Sequence, residues 1–290
     1  MSSIFRSAKN FFSLVKFSHT VFAMPFALIG FSLAVSEDDH GFSLRLLLLV
    51  ILCMIFARNA AMGFNRLADN RFDARNPRTE NREIPAGIIS PKAAGIFVLI
   101  NSVLFIITTA FINRLTLFLS PVALLVILGY SLTKRITSLC HFILGLGLSL
   151  APIGAYISVT GAFAIIPVLY SLIVLTWVSG FDIIYALQDD EFDRSNMLHS
   201  LPSATGKKSA LAVSVVVHAL TFLLVITAGL IDNGGLFFWI GAVIFTILLI
   251  YQHLIVKHDD LSRVTQAFGT TNGIASILFA ICVITDLFFR

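Results

Sequence analysis

Nine runs of apolar residues, separated by charged or turn-rich breaks, constrain this 290-residue chain more than any other feature. They fall at about 19–35, 44–64, 92–112, 115–131, 139–160, 162–180, 211–230, 235–256 and 267–288. A hydrocarbon core about 30 Å thick needs roughly 20 apolar residues per helix, and these runs are near that length. Charged residues make up 12% of the chain, against about 25% in a soluble domain. So few charges cannot cover a water-exposed surface, so most of this surface must face lipid. The expected fold is all-α, a polytopic membrane protein with nine transmembrane helices.

Composition also excludes several function classes. The formal charge of +4 comes from basic residues scattered between apolar runs, not from a stripe suited to nucleic acid. Cys53, Cys140 and Cys282 lie inside apolar segments without CxxC spacing, which argues against disulfides and thiolate metal sites. No HExxH pair occurs among the seven histidines.

The breaks carry an orientation signal. With the N-terminus inside, the inward segments collect Arg6, Lys9 and Lys16, then Arg66 through Lys92, Lys134 and Arg135, Arg194, Lys207 and Lys208, and Lys257 and Arg263. The opposite side holds Arg45, Arg114 and Arg290. The positive-inside rule therefore favours a cytoplasmic N-terminus and an odd number of spans. The N-terminal run is long for a signal peptide and reads as the first helix, with residues 3–16 expected as an interfacial amphipathic helix before it. Ser90-Pro91 has the form of an N-cap followed by proline at the first helical position.

Two inward segments, about 65–91 and 181–210, are longer and more polar than the rest. The first opens with Asn65-x3-Asp69-x3-Asp73, residues that share one face if the second span continues as helix. The second holds Asp182, Asp189 and Asp193, whose spacings of seven and eleven also return to nearly one face. The segments echo each other: Gly63-Phe64-Asn65 with Gly180-Phe181-Asp182, and Asp69-x-x-Phe72-Asp73 with Asp189-x-x-Phe192-Asp193. This pattern reads as an internal duplication within one domain, spans 1–4 and 5–8 followed by a ninth. Clustered carboxylates repel unless cations join them. Magnesium takes one or two carboxylates together with waters and substrate phosphates. Two acidic walls facing each other at a membrane surface therefore suit a diphosphate held through magnesium, with an isoprenoid tail in the membrane-embedded cavity.

Arg58, Asn65-x3-Asp69-x3-Asp73, the run Thr79 to Gly87, Tyr130-x3-Lys134-Arg135, and Asp182-x2-Tyr185-Ala186-x2-Asp189-x3-Asp193 together resemble the UbiA superfamily of intramembrane prenyltransferases, over essentially the whole chain. That resemblance implies nine helices around a central cavity open to lipid. It implies an Mg2+-dependent aromatic polyprenyltransferase whose Asn65, Asp69, Asp73, Asp182, Asp189 and Asp193 hold metal. Lys134 and Arg135 would offset charge on the departing diphosphate, with Arg58, Arg82, Tyr130, Tyr185 and Asn272 binding substrate. Tyr185-Ala186 is most similar to the 4-hydroxybenzoate polyprenyltransferase branch, whose products are respiratory quinone precursors. Arg66 stands where that branch often has Asp, and Gly180-Phe181-Asp182 with Gln188-Asp189 is similar to proteins that prenylate a dihydroxynaphthoate for menaquinone. The expected partners are polyprenyl diphosphate, a small aromatic acid and the lipid bilayer, with no nucleic acid. The expected location is a bacterial inner membrane with the site on the cytoplasmic face.

Arg58 lies seven residues before Asn65, about 10 Å deeper along a helix, where it is expected to hold the acceptor's carboxylate. A transporter is the rival class, but transporter sites favour broken helices near the midplane, and both acidic clusters here lie at helix mouths. Ala204-Thr205-Gly206-Lys207-Lys208 lacks the glycine and hydroxyl of a phosphate loop. Gly145-x-Gly147 and Ser149 read as close helix packing, and His253 and His258 as unliganded surface groups.

Overall fold

The computed structural model describes residues 10, 11, 13, 14, 22–37 and 40–290. Most of the expected interfacial helix at 3–16, and the start of the first expected span, lie outside them. Among the described residues every regular element is helical. Eight helices are long and apolar enough to cross a membrane, and Met24–Ser36 (α1) is a shorter apolar helix. The nine-helix expectation is met.

The spans after α1 begin with Leu44–Ala68 (α2), which leads into the single turn Asn70–Asp73 (α3). Pro91–Ala110 (α4), Arg114–Thr133 (α5), Cys140–Thr160 (α6) and Ile165–Ala186 (α7) follow. A 3-10 turn at Leu187–Asp189 then leads into Asp190–Ser195 (α8) and Leu201–Thr205 (α9). Lys207–Ile231 (α10), Leu236–Ile255 (α11) and Asn272–Phe289 (α12) complete the set, the last entered through a π-helical turn at Gln266–Thr271.

Local chemistry fixes the helix starts. Ser90 accepts from the Ala93 amide at 3.2 Å ahead of Pro91, as its sequence implies, and Asn113 caps α5 through the Thr116 amide at 2.9 Å. Each bond satisfies one of the amides that a helix start leaves unpaired. Ser200 and Ser203 form a reciprocal cap on α9.

The packing is asymmetric. α7 runs through the centre, with Tyr170, Trp177 and Phe181 meeting Phe26, Phe245 and Phe279 in one aromatic core. α2, α4 and α5 expose Leu48, Leu52, Leu99, Phe118 and Leu125 on their outer faces, which suits lipid contact. Small residues set the helix spacing where backbones touch. A Cβ on Gly30 would fall 2.0 Å from the Pro152 carbonyl oxygen, and one on Gly145 would fall 2.4 Å from that of Leu175. Gly145 therefore has the packing role its sequence suggests. Gly147 has more room, and it lines the cavity.

Candidate active site

A cavity of about 600 Å³ opens between α2, α5, α6 and α7, and both acidic segments line it. Its wall includes Arg58, Asn65, Asp69, Asp73, Arg82, Tyr130, Lys134, Arg135, Asp182, Tyr185, Asp189 and Asp193. Its inner reach is apolar, lined by residues such as Val50, Leu119, Val126 and Leu148.

The first wall is nearly one continuous helix. α2 runs through Asn65 to Ala68, Asp69 adopts a non-helical φ/ψ, and α3 resumes through Asp73. The interruption is short enough that all three side chains reach the cavity. Asn65 Nδ2 donates to Asp69 Oδ2 at 3.1 Å, leaving the side-chain Oδ1 of Asn65 for another partner. Arg82 Nη1 straddles Asp73 at 2.7 and 2.9 Å. Arg135 Nη2 lies 3.4 Å from Asp69 and donates to the Ala68 carbonyl at 2.6 Å. Burial pushes the Asp69 carboxyl above the usual carboxylate range, and neighbouring Asp73 adds to it against the pull of Arg135 and Lys134.

The second wall is broken into pieces. Asp182 belongs to α7, Asp189 to the 3-10 turn and Asp193 to α8, so a single helical face does not carry them. Tertiary partners bring them together. Asp189 accepts from Asn76 Nδ2 at 3.1 Å and from Arg78 Nε at 2.9 Å, and Arg78 Nη2 pairs with its second oxygen. Arg78 Nη1 also donates to the Tyr185 hydroxyl at 2.9 Å. Asp193 is fully buried between Lys134 Nζ at 2.7 Å and Ser200 Oγ at 2.8 Å. Burial works against the Lys134 ammonium, but Asp193 outweighs it and holds the lysine above its ordinary range.

Asp182 is held by His141, at 2.7 Å from Nδ1. The Leu201 amide donates to the other ring nitrogen at 3.2 Å, so Nε2 accepts and Nδ1 carries the proton it gives to Asp182.

Four of these contributors were missed in the sequence: Arg78, Asn76, His141 and Ser200. Arg78 is one of several arginines in a polar segment, and nothing local separates it from Arg71 or Arg75. Asn76 lies 113 residues from its partner and His141 lies 41 from its own, so only the fold reveals them.

Asn272 departs from its expected substrate-binding role. It is fully buried and lies outside the cavity lining. Its oxygen accepts from Trp177 Nε1 at 2.9 Å, and its amide donates to the Ala267 carbonyl at 2.9 Å, in the π turn. A π turn leaves carbonyls without their usual helical partner, and Asn272 caps one. It thereby supports Phe268, whose ring centroid lies 4.1 Å from that of Tyr185, tilted by 31°, in the cavity wall. His253 is likewise no free surface group, since it sits 2.8 Å from His218 across α10 and α11.

The donor set fits magnesium in its chemistry, being five carboxylates and one carboxamide, all hard oxygen groups. Among the described residues no three His, Cys, Asp or Glu side chains converge to cage a metal ion.

Known proteins resemble this chain in sequence or in fold. Two curated relatives are both named 4-hydroxybenzoate octaprenyltransferase. The one from Aliivibrio fischeri strain MJ11 is 26% identical over 81% of this chain and 82% of its own length. That from Nitrosomonas eutropha is 29% identical over the same shares. An apo structure of a UbiA homolog from Aeropyrum pernix K1 superposes with a TM-score of 0.83 at 31% identity, covering 92% of this chain and 98% of that one. A UbiA homolog from Archaeoglobus fulgidus, bound to DMAPP and Mg2+, shares the fold with a TM-score of 0.73 at 20% identity, over 97% of this chain and all of that one. The model of the UbiA prenyltransferase family matches residues 23–280, and on that match, with both acidic walls on one membrane cavity, the chain belongs to the UbiA prenyltransferase family.

Proposed function

We propose that this protein transfers a polyprenyl group from polyprenyl diphosphate to an aromatic acid, with 4-hydroxybenzoate as the acceptor, in respiratory quinone biosynthesis. One observation carries the reading: two acidic walls and four cations meet at the mouth of a cavity whose interior is apolar. The family membership leaves the transporter reading without support. The relatives' names favour 4-hydroxybenzoate over a naphthoate.

Asn65, Asp69, Asp73, Asp182, Asp189 and Asp193 form the proposed metal and diphosphate site. Bound there, Mg2+ would neutralise charge on the diphosphate. Arg78, Arg82, Lys134 and Arg135 now pair with acids, and each is placed to turn to phosphate oxygens when cations occupy the walls. Lys134 and Arg135 then stabilise the negative charge that grows on the leaving diphosphate as the C–O bond breaks, which is where fixed cations help most. The acceptor ring attacks the allylic carbon and loses its proton. Arg58, Tyr130 and Tyr185 border the substrates, and the apolar depth excludes water from the cation.

Purified protein with Mg2+ and one long prenyl diphosphate, offered 4-hydroxybenzoate or a dihydroxynaphthoate in parallel, tests the reading. Prenylated 4-hydroxybenzoate supports it, prenylated naphthoate alone reassigns the acceptor, and no product with either overturns it. The basic-residue distribution supports a site on the cytoplasmic face of the membrane, which this reading takes to be a bacterial inner membrane. Labelling of a cysteine placed at position 78 or 196 from outside intact cells refutes that orientation.

A further inference from the structure

Arg66 occupies the last turn of α2, is only 4% exposed, and lines the cavity. No Asp or Glu among the described residues forms an ion pair with it, and its Nε is buried without a hydrogen-bond partner. The cations nearer the mouth are committed differently: Arg78 to Asp189, Arg82 to Asp73, Lys134 to Asp193 and Arg135 to Asp69. Asp73 and Glu83 act on it only through space, with Arg82 opposing them, so this buried guanidinium has no bonded anion, which is unfavourable. Its retention in a substrate cavity calls for a ligand that supplies the bonded anion.

We propose that Arg66 anchors the carboxylate of the aromatic acceptor. The inference rests on the prenyl-transfer reading and deepens it by naming which group of the acceptor is recognised, and by what. The diphosphate is the other anion available, but it has four cations of its own, released toward it once metal takes the acids. Arg66 instead follows Asn65 inside the wall, with Tyr130 across the cavity among its electrostatic neighbours. There a ring bound by its carboxylate lies beside the allylic carbon and not in the tail chamber. The planar guanidinium fork matches a carboxylate with two parallel hydrogen bonds. Arg58 lies eight residues earlier and so about 12 Å deeper along the helix, where it borders the ring and the tail.

The test uses the full-length protein in lipid nanodiscs with Mg2+ and farnesyl diphosphate. The acceptors are 4-hydroxybenzoate and its neutral methyl ester, with a dihydroxynaphthoic acid and its ester in parallel. Arg66→Gln should raise KM for the acid about 10- to 100-fold, the value of a hydrogen-bonded charge pair. KM for the ester and for farnesyl diphosphate should stay in place, so the acid-over-ester preference collapses. Arg66→Lys keeps the buried charge but loses the fork, and should fall between wild type and Arg66→Gln. If Arg66→Gln does not fold, Arg66→Lys gives the reading alone. Equal losses on acid and ester overturn the inference. So does a raised KM for farnesyl diphosphate with the acid preference intact, which assigns Arg66 to the diphosphate. A wild type that prenylates acid and ester equally well overturns the carboxylate anchor and leaves prenyl transfer standing. A wild type that prenylates none of the four acceptors overturns the proposed function itself.

Discussion

The two acidic walls share a sequence pattern but are built in different ways. The first rises on α2 and α3, an almost unbroken helix on the lipid-facing side of the bundle, and two of its acids take basic partners from Arg82 and Arg135. The second descends from α7, the most buried span, and breaks into a 3-10 turn and α8. Each of its acids is held from a distant segment: Asp182 by His141, Asp189 by Asn76 and Arg78, Asp193 by Lys134. The helical repeat places the first wall's side chains on one face and ion pairs then hold two of them, whereas the second wall's acids are brought together by tertiary bonds. Substitutions in the two walls should therefore cost similar amounts of activity and unequal amounts of stability.

The largest effect should be on turnover. Asp69→Ala and Asp189→Ala each remove one face of the proposed metal and diphosphate site, and each should lower prenyl transfer more than 10-fold, as expected for a lost metal ligand. Retention of a tenth of wild-type rate by either would falsify the two-wall site. Their thermal stability should separate the walls. Asp189→Ala strands buried Asn76 and the more exposed Arg78 and should cost about 1–3 kcal/mol, the penalty for a buried group left unpaired. Asp69→Ala relieves a carboxylate whose charge is disfavoured by burial and should leave the unfolding temperature unchanged or raise it. Equal destabilisation by the two would erase the contrast.

A second, smaller stability effect should come from Asp193→Asn. Asp193 has no exposure, but Lys134 is one-third exposed and can turn its ammonium to water. The expected loss is therefore about 1–2 kcal/mol, below the cost of breaking a fully enclosed pair. It should show as a lower unfolding midpoint in detergent, with Asp73→Asn as the first-wall control. A larger loss in the control than in Asp193→Asn would reverse the comparison.

The same contrast explains what was legible in the sequence. Apolar run length gave the spans because lipid demands a fixed length of helix, and most ends shifted by four residues or fewer, though α7 runs six residues past its expected end. The first wall was readable because residues four apart on a helix share a face whatever surrounds them. The second wall was readable as a set of aspartates but not as a geometry. Its expected single face is broken at Asp189, and His141, Asn76 and Arg78 carry no local signal. Asn272 was misplaced for a related reason. A polar residue in an apolar span has to find a partner, and spacing does not tell a ligand from the carbonyls of a π turn.

The smallest effect concerns acidity in the first wall. Asp69 has its carboxyl raised above the usual range of about 3.9, first by burial and then by Asp73, against the pull of Arg135 and Lys134. In the metal-free protein the folded state thus holds the Asp69 proton more tightly than the unfolded chain does. This group's contribution to stability is then fullest below the ordinary carboxylate range and is lost as pH rises through the raised value. Mg2+ has the opposite preference, because it needs the ionised carboxylate. Mg2+-dependent stabilisation should therefore weaken on acidification at a higher pH than an ordinary aspartate would dictate. Replacing Arg135 with Gln removes one of the cations that favour ionisation and should move this loss to still higher pH. Asp73→Asn removes the second cause of the raised value and should move it lower, with some loss of metal affinity at every pH. Thermal unfolding with and without Mg2+, followed from about pH 4 to 7 across the titration range of a perturbed carboxyl, measures both shifts. If the Arg135 and Asp73 variants shift in the same direction, charge around Asp69 does not set the acid limb, and the first wall owes its metal affinity to something other than these neighbours.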